Sequence, residues 1–268
     1  MAQIITQVDA FTDRRFAGNP AAVCVLDELA DPRWMQDVAA EMNLSETAFA
    51  ARGTDPATFG LRWFTPTSEV DLCGHATLAT AHVLWEEGHI PAGAVPRFET
   101  RSGVLSARRG PDGIELDFPA EPLISEVTSA DEVSLLAAAV PAPIRFAGRN
   151  RMDVLVELDD EPTLVDLQPD VRRLQRLAAR GVIVTSRSAD DRFDFASRFF
   201  APCVGVDEDP VCGSAHCFLG PYWGARLGKA RLVGHPRSRR GGVVGVRLEG
   251  ARVVLIGRAV TVLRGQLT

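Results

Sequence analysis

Apolar and polar positions alternate from Gln3 to Asp9, the period of a half-buried strand, and then meet Ala10-Phe11-Thr12. Gly18-Asn19-Pro20 marks a turn ahead of an apolar strand from Ala21 to Leu26. Asp31-Pro32 reads as a cap followed by proline in the first helical turn, and Trp34, Val38, Ala39 and Met42 recur at helical spacing. An amphipathic helix is therefore expected to end near Asn43. From Leu44 to Ala50 the pattern returns to alternation, with Glu46 on the side of Leu44 and Ala48. Leu61 to Phe64 predicts another strand, and Ala76 to Trp85, rich in Ala, Leu and Val, a helix buried round most of its circumference. Strand-like runs follow at Arg97 to Thr100, Gly103 to Arg109 and Gly113 to Phe118, the last two joined by the turn Pro111-Asp112-Gly113.

Prolines 119, 122, 141 and 143 then break the pattern, so the predicted organisation is a first domain over 1–118 and a second over 119–268. In the second, helices are expected at Asp131 to Val140 and Val171 to Ala179, and strands at Arg151 to Leu158, Val182 to Thr185 and Phe193 to Phe200. Ala215 to Leu227 predicts a long helix that Gly220-Pro221 should bend or start late. Gly241 to Arg247, Arg252 to Ile256 and Ala259 to Leu263 read as strands, the last able to cross back to the first domain.

The two halves share a pattern. Cys73-Gly74-x-Ala76 recurs about half the chain later as Cys212-Gly213-x-Ala215. Phe64-Thr65-Pro66 precedes the first and Phe200-Ala201-Pro202 the second, and an apolar segment runs from each cysteine to a glycine, Gly88 or Gly228. This ordered repeat predicts two similar α/β domains related by a pseudo-two-fold axis, each a mixed sheet with a central helix.

Composition narrows the function. With 268 residues, 46% hydrophobic and 24% charged, the chain suits a globular protein rather than a disordered one. A net charge of −6 and the lack of a broad basic surface speak against nucleic acid; the run Arg237 to Arg240 reads as a solvated turn. No apolar run approaches the ~20 residues that cross a membrane, and no secretory leader pattern opens the chain. A cytoplasmic location is expected, and a homodimer is left open. Five cysteines do not make a disulfide framework, and without Cys-x-x-Cys or His-x-x-x-His spacing no metal is expected.

Candidate chemistry gathers at the repeat. A cysteine opening a helix sits at the positive end of the helix dipole, which favours the thiolate, while the following glycine and the free amides of the first turn offer an anion site. Two such joints facing each other, Cys73-Gly74 and Cys212-Gly213, would hold a carboxylate with a base on each side of one carbon. The same residues also fit small buried side chains in tight turns, the reading accepted for Cys24, Cys203 and Cys217. Glu46 reads either as a surface residue on an edge strand or as a partly desolvated acid, and Asn19 as a turn former or a ligand-binding amide.

Asp9-Ala10-Phe11-Thr12, Gly18-Asn19-Pro20-Ala21-Ala22-Val23, Asn43 to Phe49, Arg62-Trp63-Phe64-Thr65-Pro66, Leu72 to Thr77 and Glu208 to His216 together resemble the phenazine-biosynthesis-like (PhzF) family. The resemblance extends over nearly the whole chain, to Ser238-Arg239-Arg240-Gly241-Gly242. It implies the diaminopimelate-epimerase-type fold and a cofactor-independent isomerase acting on a small carboxylate-bearing substrate in an interdomain cleft. It further implies Glu46 as general acid and base, with His75, Asp209 and Ser214 assisting binding and proton movement. The related epimerases use paired cysteines at the two Cys-Gly positions, and this chain has both. A racemase or epimerase of amino or hydroxy acids working through Cys73 and Cys212 therefore stands as an alternative. A non-catalytic binding or regulatory protein is a third.

Overall fold

The computed structural model describes residues 3–268. The described residues form two compact units, one from residues 3–118 with 254–268, the other from 119–253.

In the first unit, β1 (Gln3–Ala10) and β2 (Asn19–Leu26) are antiparallel neighbours, and the helix α1 (Pro32–Met42) leads to β3 (Glu46–Arg52). Asp31 accepts from the amides of Arg33 and Trp34 at the start of α1, and Asn43 adopts the left-handed conformation at its end, so the predicted helix limits have a structural cause. β3 runs parallel to β2, pairing Ala21 with Glu46, and antiparallel to β4 (Thr58–Phe64). The two-residue β5 (Glu69–Val70) and the loop after it deliver α2 (Gly74–Glu86). β6 (Arg97–Thr100), β7 (Gly103–Arg109) and β8 (Ile114–Pro119) follow. Ten of the thirteen α2 residues are buried, and the helix packs on β1, β2, β3 and β7. Its Ala-rich surface lets these strands approach on several sides, whereas α1 covers one side with Met35, Val38 and Ala39. Trp34, Phe49 and Phe64 pack edge to face beneath α1.

The second unit opens with β9 (Ser125–Glu126), α3 (Ala130–Ala139), β10 (Ile144–Arg149) and β11 (Asp153–Leu158). α4 (Glu161–Asp166) and α5 (Val171–Leu174) lead to β12 (Gly181–Arg187), parallel to β11, and then to the antiparallel β13 (Phe195–Ala201) and β14 (Val206–Asp209). α6 (Gly213–Leu227) follows and packs on β15 (Arg231–Pro236) and β16 (Val244–Glu249). β17 (Arg252–Gly257) carries the chain back, and β18 (Ala259–Leu267) pairs with β1 inside the first unit, where α2 packs against it. No helix among the described residues is long and apolar enough to cross a membrane.

Three expectations change. The helix expected over Val171 to Ala179 stops at Leu174; tight turns bonded from Arg176 to Arg173 and from Leu177 to Leu174 replace it. Leu174 and Leu177 are the residues of this stretch buried in the core, with Ala179 packed partly against it, so little apolar surface rewards a further helical turn. Asn19 lies in β2 rather than in a turn; the bend belongs to Gly18 (φ 63°), where a Cβ would sit 2.2 Å from the Ala10 carbonyl oxygen. α6 begins before Gly220-Pro221 and continues through it. Pro221 cannot donate to the Cys217 carbonyl, and the Glu121 amide takes that acceptor at 2.9 Å.

Candidate functional site

The first Cys-Gly joint is built by β2, β3 and the start of α2. Cys73 precedes the first turn of α2 in extended conformation (φ −144°), with its carbonyl held by the Thr77 hydroxyl at 2.6 Å. His75, one residue into the helix, is 3% exposed. Its Nδ1 lies 3.0 Å from the Asn19 amide nitrogen and 3.5 Å from Cys73 Sγ, and its Nε2 lies 3.1 Å from Glu46 Oε2. Glu46, at the first position of β3, is 17% exposed. The carboxylate sits at ion-pair distance from the ring but off the axis of a well-formed hydrogen bond. Thus four predicted residues, Asn19, Glu46, Cys73 and His75, meet in one unit.

A neutral His75 accepts from the Asn19 amide at Nδ1 and keeps its proton on Nε2, toward Glu46; a protonated ring requires Asn19 to present Oδ1 instead. Burial pushes the imidazole down, while the neighbouring Cys73 and Glu46 outweigh it and lift His75 well above its ordinary 6.5. Burial also pushes the Cys73 thiol up to about 11, so near neutrality the carboxylate is the partner that sustains the imidazolium. Both thiols depart from the expected thiolate: Cys212 is also driven up by burial and by Asp209, because loss of hydration outweighs the helix dipole. Glu46, Cys73 and His75 bring one ligand atom each within 4.8 Å of one another, spacing that could take a metal ion. The ring offers Nδ1 to the thiol and Nε2 to the carboxylate, so a single ion would have to turn it.

The second joint lies where β14 meets α6. Asp209 Oδ1 accepts from the Val211 amide at 3.1 Å, shaping the turn that presents Cys212. Cys212 Sγ is 3.3 Å from Ser214 Oγ, and the Cys212 carbonyl accepts from His216 Nδ1 at 2.8 Å. Gly74 and Gly213 are the first residues of their helices, and neither helix start is capped by a side chain. Two residues that the sequence reading did not single out complete the cluster. Arg180 donates through Nη2 to Ser214 Oγ at 2.9 Å, and through Nε and Nη2 to the Asp153 carboxylate at 2.9 and 2.6 Å. A charged residue opening the buried run Val-Leu-Val was the available signal for Asp153; Arg180 had none. A hollow on the first unit, lined by His82, Glu86 and residues of β18, contains none of the predicted site residues.

Comparison with known proteins agrees with these motifs. Residues 8–265 match the family described as phenazine biosynthesis-like protein. A protein of Halalkalibacterium halodurans described as an uncharacterized isomerase is 51% identical over 267 residues, covering 100% of this chain and 99% of that one. The mouse phenazine biosynthesis-like domain-containing protein 2 is 43% identical, with 97% of each chain covered. Among solved structures, a PhzF-family protein of Enterococcus faecalis superposes with a TM-score of 0.92 at 39% identity over 100% of both chains. A hydroxyproline epimerase of Agrobacterium vitis shares the fold, with a TM-score of 0.64 at 12% identity over 99% of this chain and 92% of that one. With its sequence motifs and its fold both matched along nearly the full length, the chain belongs to the phenazine biosynthesis-like family.

Proposed function

We propose that the protein is a cofactor-independent isomerase that moves a proton on a small carboxylate-bearing substrate, with Glu46 as general acid and base. The observation that carries this reading is the close approach of Glu46 Oε2 to His75 Nε2, 3.1 Å, in a buried cluster completed by Asn19 and Cys73. Glu46 takes a proton from carbon and returns it to the same substrate at another carbon. His75, lifted toward the imidazolium, balances the carboxylate's charge before transfer and can share its proton afterwards. Asn19 fixes the ring's orientation. The description of the H. halodurans relative as an isomerase supports the reaction class.

The two-thiol reading needs one of Cys73 and Cys212 as a thiolate. Burial works against that form at both, which is why the carboxylate is preferred as the base.

The test is incorporation of solvent deuterium into a panel of carboxylates, followed by mass spectrometry. On a substrate that exchanges, Glu46→Gln should lose about 10²- to 10⁴-fold in rate while Cys212→Ser keeps most of it. The opposite result would establish the two-thiol mechanism. No exchange with any carboxylate would favour a binding protein.

A further inference from the structure

Arg180 occupies a place that the proposed reaction has not used. It lies ahead of β12, its guanidinium 5.4 Å from the centre of the Phe199 ring, with two donor atoms spent on Asp153 and one of them shared with Ser214. Asp153 is almost fully buried, so the pair is a fixed fork rather than a mobile surface contact. A serine hydroxyl has one proton to give and lone pairs to receive. Once Arg180 occupies a lone pair on Ser214 Oγ, the hydroxyl proton is free to point elsewhere. Cys212 Sγ, 3.3 Å away, marks one direction open to it.

We propose that Arg180, anchored by Asp153, is a positioning residue that acts through Ser214, fixing its hydroxyl as a donor to a carboxylate brought to the start of α6. The carboxylate is the group that the proposed reaction supplies, and to that extent the inference rests on that reading. Arg180 contributes orientation; the donor that meets the ligand is Ser214. The Asp153 carboxylate balances the guanidinium charge, so the selectivity depends on the direction of one O–H bond.

Alkylation of Cys212 tests this without any turnover. At alkaline pH, where the buried thiol yields some thiolate, the same sulfur displaces iodide from iodoacetate or iodoacetamide, which differ in carrying a carboxylate or a neutral amide. Rates at Cys212 are read by peptide mass spectrometry, with the exposed Cys203 as internal reference. Relative to the native protein, Arg180→Met should lower the iodoacetate-to-iodoacetamide ratio at Cys212 about tenfold, the loss of one well-directed hydrogen bond to a charged group. Ser214→Ala should do the same, and Arg180→Met added to Ser214→Ala should lower it no further. An equal fall in both backgrounds would show that Arg180 acts by its own charge, and an unchanged ratio that it is structural only; either overturns the proposal. Should Arg180→Met not fold, with Asp153 left unpaired, Asp153→Asn combined with Arg180→Met removes both charges and is expected to give the same ratio as Arg180→Met. If the ratios behave as expected but no carboxylate exchanges deuterium, the reading of function fails and the role of Arg180 stands.

Discussion

At the first Cys-Gly joint the residue two places after the cysteine is His75, and it faces a carboxylate; at the second the same place holds Ser214, and it receives a guanidinium. The backbone around them is alike. β2 runs parallel to β3 with Ala21 opposite Glu46, and β11 runs parallel to β12 with Asp153 opposite Gly181. The acid has changed strands between the two units. A side chain at Gly181 would be crowded, because a Cβ there would lie 2.4 Å from Phe199 Cζ unless that ring shifts. The repeat therefore reproduces the helix start but not its side chains: one joint sets an imidazole against a carboxylate, the other a hydroxyl against a guanidinium. This asymmetry favours one acid–base centre over a pair of equivalent thiols.

Four changes would break or sharpen the contrast. The largest effect is expected for His75→Gln, which should slow deuterium exchange about 100-fold in an exchanging substrate. A loss as great from Ser214→Ala would mean that the second joint also transfers protons. Next, Arg180→Met should cost on the order of 3 kcal/mol in urea unfolding, because the buried Asp153 loses its partner. Asp153→Asn combined with Arg180→Met should recover most of that.

The two buried histidines should respond to pH in opposite senses. His216, almost fully buried, donates from Nδ1 to a carbonyl, and burial depresses it from 6.5 to about 4. Its unfolded form binds a proton more readily, so stability should fall as pH drops from about 6.5 to 4, by about 3 kcal/mol for this group. His75 is raised, so its contribution is complete below about pH 6.5 and is lost as pH rises through its folded value. NMR titration of the assigned imidazole C–H signals checks both; a His75 value below 6.5 would remove the imidazolium from the mechanism. The smallest change is Gly181→Ala, expected to cost about 1–3 kcal/mol by overpacking against Phe199.

Much of this fold is legible in the sequence because local rules and tertiary demands agree. Asp31-Pro32 and Asn43 bound α1 in the sequence and in the structure, and the Ala-rich α2 is buried as its composition predicts. The reading weakens where long-range packing decides. β15, which the sequence pattern did not predict, contains Gly234 and ends at Pro236, residue types that weaken strands, yet Gly234 pairs with Phe195 in a parallel ladder. In the candidate site, spacing brings Cys73 and His75 together on one helix start, but not Asn19 or Glu46, which arrive on separate strands. Family motifs pointed to those. Arg180 and Asp153 lay outside both signals, since their pairing depends on the tight turns that replace the expected length of α5.

Pro221 has a consequence for how the second unit finds its alignment. By withdrawing one donor from a buried helix it leaves a vacant acceptor at a fixed height on α6, and the segment entering the unit fills it through Glu121. The defect works as an index mark, setting the entering segment at one height against the helix that begins beside Cys212. Replacement by alanine would supply a second donor for the same oxygen, so a substitution that ordinarily strengthens a helix would here make two segments compete for one position.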